Sequence, residues 1–152
     1  MRFRGIILCG VVLASCFSAQ TVSAQAKNQA AIASVQKAAV AALNFKQGDA
    51  AGLKRAQNAF TPAGWAEYMK SLQGFLDAHN APMFNSSFVP SGAAVVVSDA
   101  EGIHLKVPGT LTQSQGASRT TYAHSMLDVK ASGTPAKIEH LETIYTVKAG
   151  AF

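Results

Sequence analysis

The sequence predicts an α+β domain in which helices come first and an antiparallel sheet follows. Two observations carry this. Residues 27–80 are rich in Ala and repeat their apolar positions at helical spacing. Residues 82–149 are rich in Val, Thr, Ser and aromatics and are cut by turn signals into strand-length runs. Helices gathered in one half and strands in the other describe an α+β layer rather than an alternating α/β sheet. A chain of 152 residues sets one domain as the expectation, and no internal repeat is visible.

The first 26 residues read as a secretory signal peptide, leaving 27–152 as the domain. Arg2 and Arg4 form a positive n-region. Gly5 to Ala14 form an apolar run too short to span a bilayer, which needs about 20 residues. Small-residue cleavage sites follow at Val22-Ser23-Ala24 and Ala24-Gln25-Ala26, so the mature chain is expected to start near Gln25 or Lys27. A competing reading takes Leu13-Ala14-Ser15-Cys16 as a lipobox with Cys16 lipidated. Membrane association is expected only with that lipid or with a retained N-terminal segment. Both cysteines, Cys9 and Cys16, lie in this region, so the mature domain has no thiol for a disulfide, a metal or catalysis. Removing Arg2 and Arg4 lowers the formal charge from +5 to +3. The remaining cations are scattered, with Lys54-Arg55 the sole adjacent pair, which argues against nucleic-acid binding.

Each element has a local reason. The first helix is expected from about Asn28 to Phe45, with Ile32, Val35, Ala39 and Leu43 on one face. Gly48 stops it, and Asp49 caps a short second helix carrying Leu53, Ala56 and Phe60 inward. The third helix is expected from Pro62 to His79. Thr61 is its N-cap and Pro62 fills the first helical position, where the missing N–H costs nothing. Phe60 and Trp65 occupy the two ends of a hydrophobic staple. Trp65, Tyr68, Met69, Leu72, Phe75, Leu76 and His79 form its apolar stripe, closed by Asn80-Ala81-Pro82.

Strands are expected at Met83–Val89, Ala93–Ser98, Ile103–Thr112, Arg119–Lys130 and Lys137–Lys148, each pairing with the next. Pro108-Gly109 marks a bulge or an edge position. Gln113–Ser118 reads as a polar loop. In the last two strands, alternation puts Leu141, Thr143, Tyr145 and Val147 opposite Ile138, His140, Glu142 and Ile144. It likewise puts Ala123, Ser125, Leu127 and Val129 opposite Tyr122, His124, Met126 and Asp128. Helices cover one face. The other keeps apolar groups, either Tyr122, Met126 and Ile144 or Leu127, Tyr145 and Val147, as an expected subunit or partner interface.

Little in the sequence speaks for catalysis. Neither G-x-S-x-G nor H-E-x-x-H occurs, and there is no phosphate loop. His79, His104, His124 and His140 are far apart; His124 and His140 on neighbouring strands would still lack a third ligand. Asp128 is the one carboxylate deep in a long strand, a candidate base beside Tyr68 or Tyr122. Phe60, Trp65 and Phe75 read as core. No catalytic residue, metal or cofactor is expected.

The run Phe60-Thr61-Pro62-Ala63-Gly64-Trp65, with Tyr68, resembles the F-T-P-x-G-W-x-x-[FY] signature of the DotI/IcmL/TraM family of type IV secretion and conjugation components. Leu105-Lys106-Val107-Pro108 and the strand Thr121–Val129 follow in that family's order, so the resemblance covers roughly residues 28–149. It implies a nuclear-transport-factor-2-like cone, three helices on a curved antiparallel sheet, in a periplasmic protein without enzymatic residues. It also implies other secretion-apparatus proteins as partners, with homo-oligomers among them. One departure stands out: family members carry a transmembrane helix after a cytoplasmic tail, where this chain opens on a signal-like segment. The expected function is periplasmic protein–protein contact in a secretion or conjugation machine. The alternative is a small-ligand binder or isomerase/lyase-like enzyme using the pocket of the cone.

Overall fold

In the computed structural model, which describes residues 15–46, 48–78, 84–98 and 102–145, the helical half forms α1 (Ser15–Leu43), α2 (Ala50–Gln57) and α3 (Pro62–Ala78). The strand half forms β1 (Phe84–Pro90), β2 (Val95–Ser98), β3 (Ile103–Gln115), β4 (Ser118–Ser132) and β5 (Lys137–Tyr145). The n-region and apolar run of the signal lie outside the described residues, as do Cys9, His79, Pro82 and Val147 and the side chains of Cys16 and the cleavage sites. The chain divides into two units, Met1–Ala30 and Ala31–Phe152. The described part of the first is helical. The second holds the sheet and everything discussed below. Among the described residues, no helix is long and apolar enough to cross a membrane.

α1 starts well before the expected Asn28 because its Ala-rich composition has no breaker to stop it. Val35, Ala39, Ala42 and Leu43 are the buried residues of its second half. Asp49 caps α2 as expected, accepting from the Gly52 N–H at 2.8 Å. Ala56 is buried and Leu53 half-buried, while Phe60 reaches the core from beyond the helix end.

The five strands form one antiparallel sheet in the order β1-β3-β4-β5, with β2 also on β3. This corrects the expected meander. β1 pairs residues 109–115 of β3 and β2 pairs residues 104–106, so the two lie along the same side of β3 instead of pairing with each other. Pro108 falls where one pairing has ended and the other has not begun. β3 is therefore a central strand, and the expected bulge opens in its ladder with β4, between Gly109 and Leu111. A side chain at Gly109 would run into the Phe88 ring, so glycine lets that ring lie across the strand.

The Gln113–Ser118 loop is also corrected. Gln113, Ser114 and Gln115 pair with Thr120, Arg119 and Ser118, leaving a tight turn at Gly116, whose φ of 57° suits a two-residue hairpin. Polar residues extend this ladder beyond the core because water accepts both of their faces. On the other side of β1, the chain after α1 supplies a strand-like fragment. Phe45 and Ser86 exchange backbone hydrogen bonds of 3.0 and 2.8 Å, and the Phe88 N–H donates to the Asn44 side-chain oxygen at 2.8 Å.

The main core lies between the helices and one face of the sheet. Leu105, Val107, Leu111, Leu127, Val129, Phe88 and Ile138 are its most deeply buried large side chains. A smaller cluster joins Phe45 and Phe84 to Leu53, Leu72, Phe75 and Leu76.

Candidate functional site

The start of α3 is built as a clamp on β5. The Gly64 N–H donates to the Thr61 hydroxyl at 3.1 Å and the Trp65 N–H to the Thr61 carbonyl at 2.9 Å, so Thr61 caps the helix. The Thr61 N–H in turn donates to the Ile138 carbonyl at 2.9 Å, and the Ile138 N–H to Ala59 at 2.8 Å. Pro62 opens the helix. Gly64 sits so close to β5 that an added Cβ would come within 2.6 Å of the carbonyl oxygens of Ile138 and Glu139. Phe60 and Trp65 meet edge to face at 5.4 Å, and Tyr68 lies 5.4 and 5.6 Å from them. The Tyr68 hydroxyl donates to the Ala42 carbonyl at 2.7 Å, and burial pushes its pKa from 10.0 up to about 12. Phe60, Thr61 and Gly64 thus hold the start of α3 to β5, Tyr68 ties it to α1, Trp65 packs on Phe60 and Tyr68, and Pro62 is exposed. Tyr68 is buried and Trp65 half-buried.

Beside this clamp lies a half-open cleft of about 400 Å³ between α3 and the sheet. Leu43, Phe45, Leu72, Phe75, Phe84 and Leu141 give it apolar walls, and Tyr68 lines it. Its polar groups include Gln113 and Thr143, with Glu67, His140 and Glu142 carrying ionisable chemistry. His140 Nδ1 lies 3.0 Å from Glu67 Oε1 and Nε2 lies 3.7 Å from Glu142 Oε2. The carboxylates face opposite ring nitrogens, and no group of three metal-ligating side chains occurs among the described residues. A smaller cleft, sharing Phe75, Phe84 and Gln113, adjoins it and reaches Tyr122 and Tyr145.

The outer face of the sheet is the second candidate surface. Register sets Pro108 opposite Met126 and Met126 opposite Ile144, across β3, β4 and β5. Met126 is 36% and Ile144 48% exposed. The next row is charged: Lys106 opposite Asp128 opposite Glu142. Asp128 Oδ1 lies 2.7 Å from His104 Nε2. Leu127 is fully buried, so the outward set is the one holding Met126 and Ile144.

Two bulges rearrange the alternation read from the sequence. In β4 the register slips between Ser125 and Tyr122, which carries Tyr122 away from Met126 and opposite the buried Leu111. There it meets Tyr145, ring centres 4.4 Å apart. In β5 the register slips between His140 and Ile138, so Ile138 is buried in the core instead of sharing a face with Ile144. The structure therefore brings Met126 and Ile144 together and separates Tyr122 from both. It also separates Asp128 from Tyr68 and Tyr122, and His124 from His140, which pairs with Lys130. Phe60 is core, as read, whereas Phe75 is half-buried and lines both clefts. Sequence reasoning set His140 and Glu142 on one face of the last strand but missed Glu67 as their neighbour. An acidic pair on different elements leaves no spacing to read.

No protein-family model matches the chain, and no curated protein sequence matches it. Two solved structures share its fold. The periplasmic domain of DotI superposes with a TM-score of 0.57 at 18% identity, covering 72% of this chain and 89% of that one. An IcmL-like type IV secretion system protein from Legionella pneumophila superposes with a TM-score of 0.54 at 15% identity, covering 82% of this chain and 96% of that one. The likeness agrees with the three helices and antiparallel sheet expected from the F-T-P-x-G-W-x-x-Y resemblance.

Proposed function

We propose that this chain is a non-enzymatic, periplasmic component of a type IV secretion or conjugation apparatus, working by contact with other proteins of the machine or with further copies of itself. The motif and the shared fold support the class of machine. The observation that carries the mode of action is the exposed Met126–Ile144 pair on the outer face, continued by Pro108. Apolar groups held side by side on rigid strands are a usual feature of protein-binding surfaces. In this reading residues 1–26 direct export and are removed, and the lipidated Cys16 form is the alternative. Intact mass of the exported protein distinguishes a start near Gln25 or Lys27 from a lipid-bearing Cys16 and from an uncleaved chain.

The test of contact is a Met126→Glu, Ile144→Glu double variant. Circular dichroism should be unchanged while sedimentation or cross-linking loses the associated species. Unaltered association by the folded variant would remove the outer face from the proposal. Tyr68 and His140 in one cleft favour a ligand-binding second reading. Its enzyme form is the weaker, because Asp128 lies elsewhere and the Tyr68 hydroxyl is held by Ala42.

A further inference from the structure

We propose that the cleft between α3 and the sheet binds a small amphipathic amine, with an apolar body between the helix and the strands and a cationic head at Glu67 and Glu142. This does not rest on the secretion reading. The cleft's volume of about 400 Å³ lies within the range of about 300–1,000 Å³ typical of small-molecule sites. Its walls are aliphatic and aromatic, so the body of the ligand is apolar.

Charge selects the head. No Lys or Arg lines the cleft; its ionisable lining consists of Glu67, Glu142, His140 and the neutral Tyr68 phenol. The chain as a whole is positive, at +5, so an acidic mouth is a local feature opposed to the bulk charge. An anionic ligand would meet two carboxylates, and a neutral one would leave them unused. Each carboxylate faces one ring nitrogen of His140 and has a second oxygen that can accept from an ammonium donor. Both carboxylate side chains are more than half exposed, 59% and 62%, so they can turn toward a bound head without unpacking the core. The half-open form and modest volume favour a small molecule over a folded partner's surface.

The test uses the full chain and two fluorescent probes of matched body and opposite charge, dansylcadaverine and dansyl-6-aminohexanoic acid. The amine should bind with blue-shifted emission and about tenfold more tightly than the acid, the ratio that about 1.4 kcal/mol of charge interaction gives. A Glu67→Gln, Glu142→Gln variant should lose that preference while retaining an apolar affinity. Ser71→Trp, placed on the exposed side of α3 at the cleft, should weaken both probes. Circular dichroism verifies that each variant is folded. Equal binding of amine and acid, binding indifferent to Ser71→Trp, or no binding at millimolar probe would each overturn the proposal. So would displacement of the dye by a lysine-containing apolar tripeptide far better than by free alkylamine, which would make the occupant a partner's peptide.

Discussion

The two faces of the sheet use the same strands and obey opposite rules. On the inner face Leu105, Val107, Leu127 and Val129 are fully buried beneath the helices. On the outer face, one residue along, Lys106, Pro108, Met126 and Asp128 alternate with them and remain in reach of solvent. Side-chain period alone creates this division. The inner face therefore sets stability. The outer face, having little packing to lose, is free to carry recognition.

Neighbouring substitutions break that comparison most severely. Leu127→Glu should unfold the domain, since an unpaired carboxylate in the core costs at least about 4 kcal/mol, a large part of a small domain's stability. Met126→Glu, its immediate neighbour, should shift the midpoint of urea unfolding by less than the equivalent of about 0.5 kcal/mol. Similar losses at the two positions would abolish the distinction between the faces.

The clamp at the start of α3 comes next. Trp65→Ala should cost toward the lower end of the roughly 3–5 kcal/mol seen for large aromatics, because the ring is only half-buried. Gly64→Ala should cost about 1–3 kcal/mol by pushing α3 off β5, as overpacking does elsewhere. If Gly64→Ala is neutral in urea unfolding, the close approach to Ile138 and Glu139 is not needed.

Tyr68 sharpens the comparison by pH. Its folded pKa of about 12 stands above the unfolded 10.0, so the folded state holds the proton longer. The resulting stability is complete below pH 10 and disappears as pH rises toward 12, about 2–3 kcal/mol in all. Tyr68→Phe should remove this alkaline dependence. At neutral pH it should cost about 1–2 kcal/mol, because the Ala42 carbonyl loses its donor. A wild-type stability flat from pH 9 to 12 would contradict the buried, neutral phenol.

What was legible in the sequence was local chemistry. The α3 cap reads directly from Thr61-Pro62, and the staple from Phe60 and Trp65, because all their partners lie within one turn. Asp49 before α2 is equally plain. What failed depended on partners far along the chain. Ile138 and Tyr122 changed sides because a bulge exists only once two strands have been laid together. Gln113–Ser118 reads as a loop by its polarity, whereas a ladder needs only backbone. The cleft draws on the end of α1, the length of α3, the start of β1, the end of β3 and the middle of β5, and no window of sequence contains it.

The fragment that follows α1 gives β1 an unexpected character. A strand at the rim of a sheet ordinarily leaves alternate amides to water. Here Ser86 donates to Phe45 and Phe88 donates to Asn44, so these two rim amides are occupied. In deuterated solvent they should exchange on the slow schedule of an interior strand. The link from the first helix to β1 thus acts as a seal on the sheet's rim, and opening this side of the domain means lifting the chain after α1 away first.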